Sequence, residues 1–279
     1  MTVPPRLADI VQRHYGRRDL MERIDEALKA AGHDPGMLCC EDLAPIDEFH
    51  IRGRAATGEI ARAAGLGAGQ HVLDVGCGIG GPARHLAQEF GCRVTGLDLC
   101  ADYCRVAAAL STRVGLSGRT YYCQANATDL PFHAASFDAL WTAHVAMNIS
   151  DKRRLYGEFR RVLKPQGTLV CYDVFAGSAG PPLFPVPWAR TDASSFLLTP
   201  AAFAVHLDAA GFTITASSEV TTAAQAWAYS LARSSAPKAA PGLGLLMGPD
   251  LPGMIANLGW NLAEGRVRVL WFVARPKGP

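Results

Sequence analysis

Leu20, Ile24 and Leu28 recur at four-residue steps among charged neighbours, a spacing that puts apolar side chains on one helical face. The pattern predicts a helix over residues 6–32, stopped by Gly32 and Pro35. A second helical stretch runs from Ala55 to Ala64 and ends at Gly65. From there the rhythm changes to short apolar runs separated by amphipathic stretches. Strands are expected near 71–75, 93–98, 119–124, 137–142 and 168–174, and helices near 82–90, 101–114 and 151–163. Ser150 is placed to cap the last of these helices, and Lys164, Pro165 and Gly167 break it. Such alternation predicts an α/β fold with a parallel sheet covered by helices on both faces.

The last third departs from the alternation. A Gly- and Pro-rich linker, Gly177 to Pro187, precedes a helix near 200–210 and a strand near 213–220. An excursion over 221–264 has helical composition broken by Pro241, Gly242 and Pro252, and the apolar run Val267 to Val273 reads as the final strand. The expected organisation is one domain over 1–279, with a helical lid in 1–66, a core in 67–176, and covering insertions with the last two strands in 177–279.

The richest stretch is HVLDVGCGIGGP, residues 71–82. An apolar strand ends in Asp74, glycines follow at 76, 78 and 80, and Pro82 sits where a first helical turn tolerates it. Strand, tight glycine turn and helix together suit a nucleotide-type ligand at the end of a parallel strand. The spacing is G-x-G-x-G, not the G-x-G-x-x-G of pyrophosphate-binding turns.

Composition narrows the field. A net charge of +2 gives no strong field for nucleic acid or acidic membranes. There is no apolar stretch long enough to span a bilayer, and MTVPPRLADIVQRHYG lacks a signal-peptide core, so a cytoplasmic protein is expected. The eight cysteines form no C-x-x-C pair and read as reduced, mostly structural thiols, with no metal site.

Several side chains fall where chemistry is expected. Asp98 ends the second strand about 20 residues after the glycine turn, where an acid holds ribose hydroxyls in folds of this kind. His144 follows the fourth strand and reads either as a proton acceptor or as a pocket-wall residue. Asp173 ends the fifth strand and either binds an amine, orients a base or caps a loop. The aperiodic LAPIDEFHIRGR, residues 43–54, suits a lid rather than a core element, with His50 and Arg52 facing substrate. Phe184 and Trp188 lie in an aromatic loop that either encloses an organic substrate or staples the loop to the sheet.

VLDVGCGIGGPARHLA resembles the first motif of class I S-adenosylmethionine-dependent methyltransferases. With LAPIDEFHIRGRAAT, AHVAMNISDKRRLYGEFRRVLKPQGTL and PVPWARTDASSFLLTP, the chain is similar to the sarcosine/dimethylglycine N-methyltransferase-like group, related to sterol C-methyltransferases. The resemblance implies a Rossmann-like, seven-stranded, mostly parallel sheet with an antiparallel last strand. It also implies S-adenosylmethionine as donor, S-adenosylhomocysteine as product and a small-molecule acceptor. An acid near the turn suits a ligand carrying an ammonium and a sulfonium.

On this resemblance Asp74, Gly76, Cys77 and Gly78 hold the methionine part and Asp98 and Leu99 the ribose and adenine. Asn126, Ala127 and His144 complete the lining, with Asn126 accepting from the adenine amino group where the family often has an acid. Arg52 stands where a small residue is expected. The reading is N- or O-methylation in secondary metabolism, with neither nucleic acid nor membrane as partner; nothing bears on oligomeric state. The alternatives are C-methylation of a terpenoid or other alkene, with Trp188, Trp227, Tyr229 and Trp260 as aromatic faces, a methyltransferase fold performing a rearrangement or only binding its ligand, and an NAD-dependent oxidoreductase, against which the glycine spacing speaks.

Overall fold

The computed structural model describes residues 19–233 and 242–278. The start of the predicted 6–32 helix and Pro241 lie outside the described residues. After Asp19 the chain forms α1, Leu20–Ala30, with Leu20, Ile24 and Leu28 buried as their spacing requires.

Residues 43–54 correct the expectation of a lid without core. Their first part belongs to a helix, α2, Cys40–Asp47, in which Leu43 and Ile46 are wholly buried. Asp42 starts it by accepting from the Cys39 amide at 2.9 Å. Pro45 inside an eight-residue helix hides the periodicity that would have announced it. Helix α3 then spans Gly53–Ala63.

The core alternates as expected: β1 His71–Val75, α4 Gly81–Glu89, β2 Arg93–Asp98, α5 Ala101–Arg113, β3 Thr120–Gln124, β4 Phe137–Ala143, α6 Lys152–Val162 and β5 Leu163–Ala176. Asp151, not Ser150, caps α6, accepting from the Arg154 amide at 3.0 Å. Beyond it come α7 Pro200–Ala209, β6 Phe212–Glu219, α8 Thr221–Ala232, the short α9 Gly244–Met247, α10 Leu251–Ala263 and β7 Val267–Pro276.

The seven strands lie in the order β3-β2-β1-β4-β5-β7-β6, with β7 antiparallel to both neighbours. From β1 the chain winds outward to β3 and then returns to β4 on the other side. That reversal opens a crevice at the carboxyl ends of β1 and β4.

Period-two alternation divides the core between the sheet's two faces. Along β5, Val170, Tyr172 and Val174 pack on the face carrying α3, α4, α8 and α10, while Leu169, Cys171 and Phe175 pack against α6 and α7. A third cluster joins α1 and α2 to α5 through Leu28, Ile46 and Leu110. All eight cysteines are free thiols. Among the described residues no helix is long and apolar enough to cross a membrane.

One ion pair, Arg84 with Asp47, is wholly inside. Arg84 of α4 donates to Asp47 Oδ2 at 2.8 Å, to the Ile79 carbonyl at 2.7 Å, and to the Ala107 carbonyl and Ser111 Oγ at 3.3 Å each. Asp47 thereby fixes the end of α2 onto α4. The approach is so close that a Cβ at Gly81 would lie 2.1 Å from the Asp47 carbonyl oxygen. Arg84→Met should cost about 3–5 kcal/mol, because it leaves a buried carboxylate without its counter-ion. Urea denaturation checks this, and the double variant with Asp47→Asn should lose less than the two single losses combined.

Candidate active site

A cavity of about 490 Å³ opens over the crevice between β1 and β4. One end is built by the glycine turn and the ends of β2 and β3: Asp74, Gly76, Cys77, Gly78, Asp98, Leu99, Asn126 and Ala127 all line it. The other end is roofed by Phe49, His50 and Ile51 after α2, by Pro187 and Trp188 of the loop after β5, and by Trp227, Ile255 and Leu258 of α8 and α10.

The glycine turn explains itself sterically. Gly78 has φ +53°, and a Cβ there would meet no protein atom within 4 Å. Its missing side chain therefore leaves open space on the cavity wall. Gly76 is needed for packing instead, since a Cβ would strike Val145 Cγ2 at 2.2 Å. Asp98 accepts from the Gly78 amide at 3.0 Å with Oδ2 and from the Cys100 amide at 2.8 Å with Oδ1. The Leu99 amide adds a third backbone bond, and the carboxylate still has lone-pair capacity for a ligand hydroxyl. Asp74 is 1% exposed and its Oδ2 has no hydrogen-bond partner. Burial, and then nearby Asp98, push its pKa up to about 8.

Asn126 corrects an expectation. Its Oδ1 already accepts from the Thr128 amide and hydroxyl, both at 3.0 Å, so the side-chain oxygen closes its own turn and is not free for an adenine amino group. Asn126 lines the cavity as a turn former.

His144 is not the free proton acceptor that its place after β4 suggests. It holds φ +56° at the end of that strand, a strained conformation worth about 1–3 kcal/mol. Its Nδ1 faces the Tyr172 carbonyl at 3.3 Å and so carries the proton, while Nε2 accepts from the Ile51 amide at 3.1 Å. Burial, and then His50, lower its pKa to about 3. With both nitrogens engaged, His144 anchors the roof; Tyr172 adds a second tie, its hydroxyl donating to the Ile51 carbonyl at 2.9 Å.

Asp173 does not line the cavity. Strand parity turns it to the α6 side, where it receives the backbone amides of Ala146, Met147 and Val174 and lies near Lys152. It caps the short turn after β4 without touching the cavity, and its Oδ1 lies 3.9 Å from His144 Nδ1, behind the ring; burial first of all raises its pKa to about 6. Arg52 and Phe184 are likewise absent from the lining. Arg52 pairs with Glu59 at 2.5 Å, and Phe184 packs on the sheet-face core as a staple. Of the four aromatics expected as cavity faces, Trp188 and Trp227 line it, whereas Tyr229 and Trp260 are exposed. Trp188 is fixed by its indole N–H to Ser195 Oγ at 3.0 Å.

His50 does more than its place in a lid segment promised. Its Nε2 faces the Gly53 carbonyl at 3.0 Å, an oxygen that can only accept, so the proton sits on Nε2. Thr57 Oγ1, at 3.1 Å from Nε2, donates to Glu48 Oε2 at 2.8 Å. Among the described residues no hydrogen-bond partner reaches Nδ1, on a ring that lines the cavity. Burial lowers the His50 pKa to about 4, so the ring is neutral near pH 7. Asn148 escapes sequence reasoning altogether. Its amide nitrogen donates to the Trp188 and Ser194 carbonyls at 2.8 Å each, leaving its oxygen for a ligand. No local spacing marks Asn148, because its partners lie 40 and 46 residues away.

Residues 73–171, from β1 to β5, match the family model described as a methyltransferase domain. Over that stretch the chain is similar to methyltransferase domains. Sterol 24-C-methyltransferase of Eremothecium gossypii is 36% identical over 114 residues, which are 41% of this chain and 31% of the relative. The O-methyltransferase resE of Aspergillus sclerotiorum is 29% identical over 174 residues, 62% of this chain and 64% of the relative. The chain thus spans less than two thirds of either relative's length. The solved structure of the [4+2]-cyclase SpnF shares the fold, with TM-score 0.69, 24% identity and coverage of 98% of this chain and 97% of that one.

A solved structure of this fold, a geranyl diphosphate methyltransferase, holds S-adenosylmethionine, and the residues present here fit that molecule. The unpartnered Asp74 Oδ2 suits a cationic group, the open space at Gly78 admits a ligand against the backbone, and Asp98 has lone pairs for a diol. Asp98→Ala should weaken S-adenosylhomocysteine binding by about 1.5–3 kcal/mol. Asp129→Ala should leave it within about twofold, because Asp129 is exposed and pairs only with Arg154 at 3.5 Å. Titration calorimetry compares the two; equal losses would misplace the ribose site.

Proposed function

We propose that the protein transfers a methyl group from S-adenosylmethionine to a nitrogen or oxygen of a small organic acceptor in secondary metabolism. The observation that carries this reading is the single cavity joining the glycine turn to an enclosed, largely apolar chamber. S-adenosylmethionine supplies an already electrophilic methyl group, so the chain's part is mainly alignment and exclusion of water.

Gly76, Cys77 and Gly78 shape the donor end with Asp74, and Asp98, Leu99 and Ala127 close it. The roof over the acceptor is held by the His144 and Tyr172 bonds to Ile51. His50 Nδ1 and the Asn148 oxygen accept hydrogen bonds from the acceptor's X–H group and turn its lone pair toward the donor. His50 is kept in the required tautomer by Gly53 and Thr57. A second reading, methylation at carbon, draws on Trp188 and Trp227, whose rings line the cavity and could face a developing cation.

Incubation of the protein with labelled S-adenosylmethionine and an extract of the producing cells should yield labelled organic product and S-adenosylhomocysteine. No label transfer despite donor binding would favour a ligand-binding or rearrangement role. With that product as assay, His50→Gln should lower kcat at least about tenfold with donor affinity intact. The ratio of unaltered to His50→Gln activity should stay constant between pH 8 and 5.5, since His50 gains its proton only as pH falls toward about 4. An inflection near pH 6.5 that vanishes in His50→Gln would contradict the assignment.

A further inference from the structure

The charges around the cavity are as informative as its shape. No lysine or arginine lines it among the described residues, and four aspartates do, at 47, 74, 98 and 151. Its two histidines are both neutral near pH 7.

The cations near its roof and floor are turned elsewhere. Arg84 is bound to Asp47, Arg52 to Glu59, and Arg54 to Glu41 and the Cys40 carbonyl. Lys152 donates to the carbonyls of Ala146 and Ile149. An anionic group entering the chamber would lose its water and meet no counter-charge from the described side chains, which disfavours it. The walls are instead Ile51, Met147, Trp188, Trp227, Ile255 and Leu258. Two polar atoms left open beside these walls among the described residues, His50 Nδ1 and the Asn148 oxygen, both accept hydrogen bonds.

We infer that the acceptor is an uncharged, lipophilic molecule presenting one hydroxyl or N–H group, and that carboxylated or phosphorylated acceptors are excluded. This rests on the methyl-transfer reading of the cavity and narrows it. It also separates the chain from N-methylation of amino acids such as sarcosine, whose carboxylate would need a cation that the described wall does not offer.

The test uses the neutral apolar fluorophore N-phenyl-1-naphthylamine, bound to the full-length protein saturated with S-adenosylhomocysteine. Para-hexylphenol and para-hexylbenzoate then compete for the chamber near neutral pH, where only the benzoate is charged. The phenol should displace the fluorophore at a concentration about tenfold lower or less. Trp227→Arg, which adds a cation to the wall, should close most of that gap by improving the benzoate while S-adenosylhomocysteine affinity stays constant.

Benzoate competing as well as the phenol in the unaltered protein overturns the inference, and so does failure of the fluorophore and both competitors to bind. Those comparisons need no variant. If calorimetry shows no S-adenosylhomocysteine binding, the donor reading falls instead, and the competition repeated without it still decides the question of charge.

Discussion

Arg84 is the joint at which the parts of this structure meet. A guanidinium without access to water has to find its hydrogen-bond partners inside the protein, and it finds them in three places at once. They are the glycine turn through Ile79, helix α5 through Ala107 and Ser111, and the lid helix α2 through Asp47. The donor end of the cavity and part of its roof are therefore set by one side chain. The close seating of Gly81 under the Asp47 carbonyl comes from the same joint, since a residue with a Cβ would hold α2 away. The glycines of the turn thus serve two neighbours: Gly78 leaves room for a ligand, and Gly81 leaves room for the lid.

Much of this was legible along the chain because it is encoded locally. Strand positions, the helix after the glycine turn and the site of Asp98 follow from period, punctuation and spacing, and the strands fall within a residue or two of expectation except where β5 starts early and β7 runs on. What was hidden depends on parity and distance. Whether Asp173 faces the cavity or α6 is decided by one residue of register in β5, invisible until the sheet is assembled. His144 has the chemistry of a base, yet its Nε2 is claimed by Ile51, 93 residues away. Asn126 misleads for a smaller reason: an Asn with a Thr two residues later folds back on its own turn. Helix α2 escapes notice because Pro45 interrupts the one signal an eight-residue helix could give.

The two histidines show how environment assigns roles to identical side chains. Both are buried and neutral, and their rings meet edge to face at 6.2 Å between centroids. Each has a carbonyl fixing one nitrogen as the donor. They differ in the other nitrogen alone. That of His144 receives a backbone amide and becomes architecture; that of His50 receives no bond from the described residues and faces the cavity.

The segment carrying α8 to α10 leaves the sheet and returns to it at almost the same point. Glu219 pairs with Leu270, the Val220 amide donates to the Val269 carbonyl at 2.8 Å, and the Val269 amide donates to Thr221 Oγ1 at 3.1 Å. Residues 221–266 are thus an insert whose two ends are already sewn together by a β-hairpin base. Doubling the length of such a loop costs only about 0.6 kcal/mol in closure entropy. The insert is a cassette: evolution or an engineer can exchange it wholesale, resetting Trp227, Ile255 and Leu258, without altering the strand register that seats the donor.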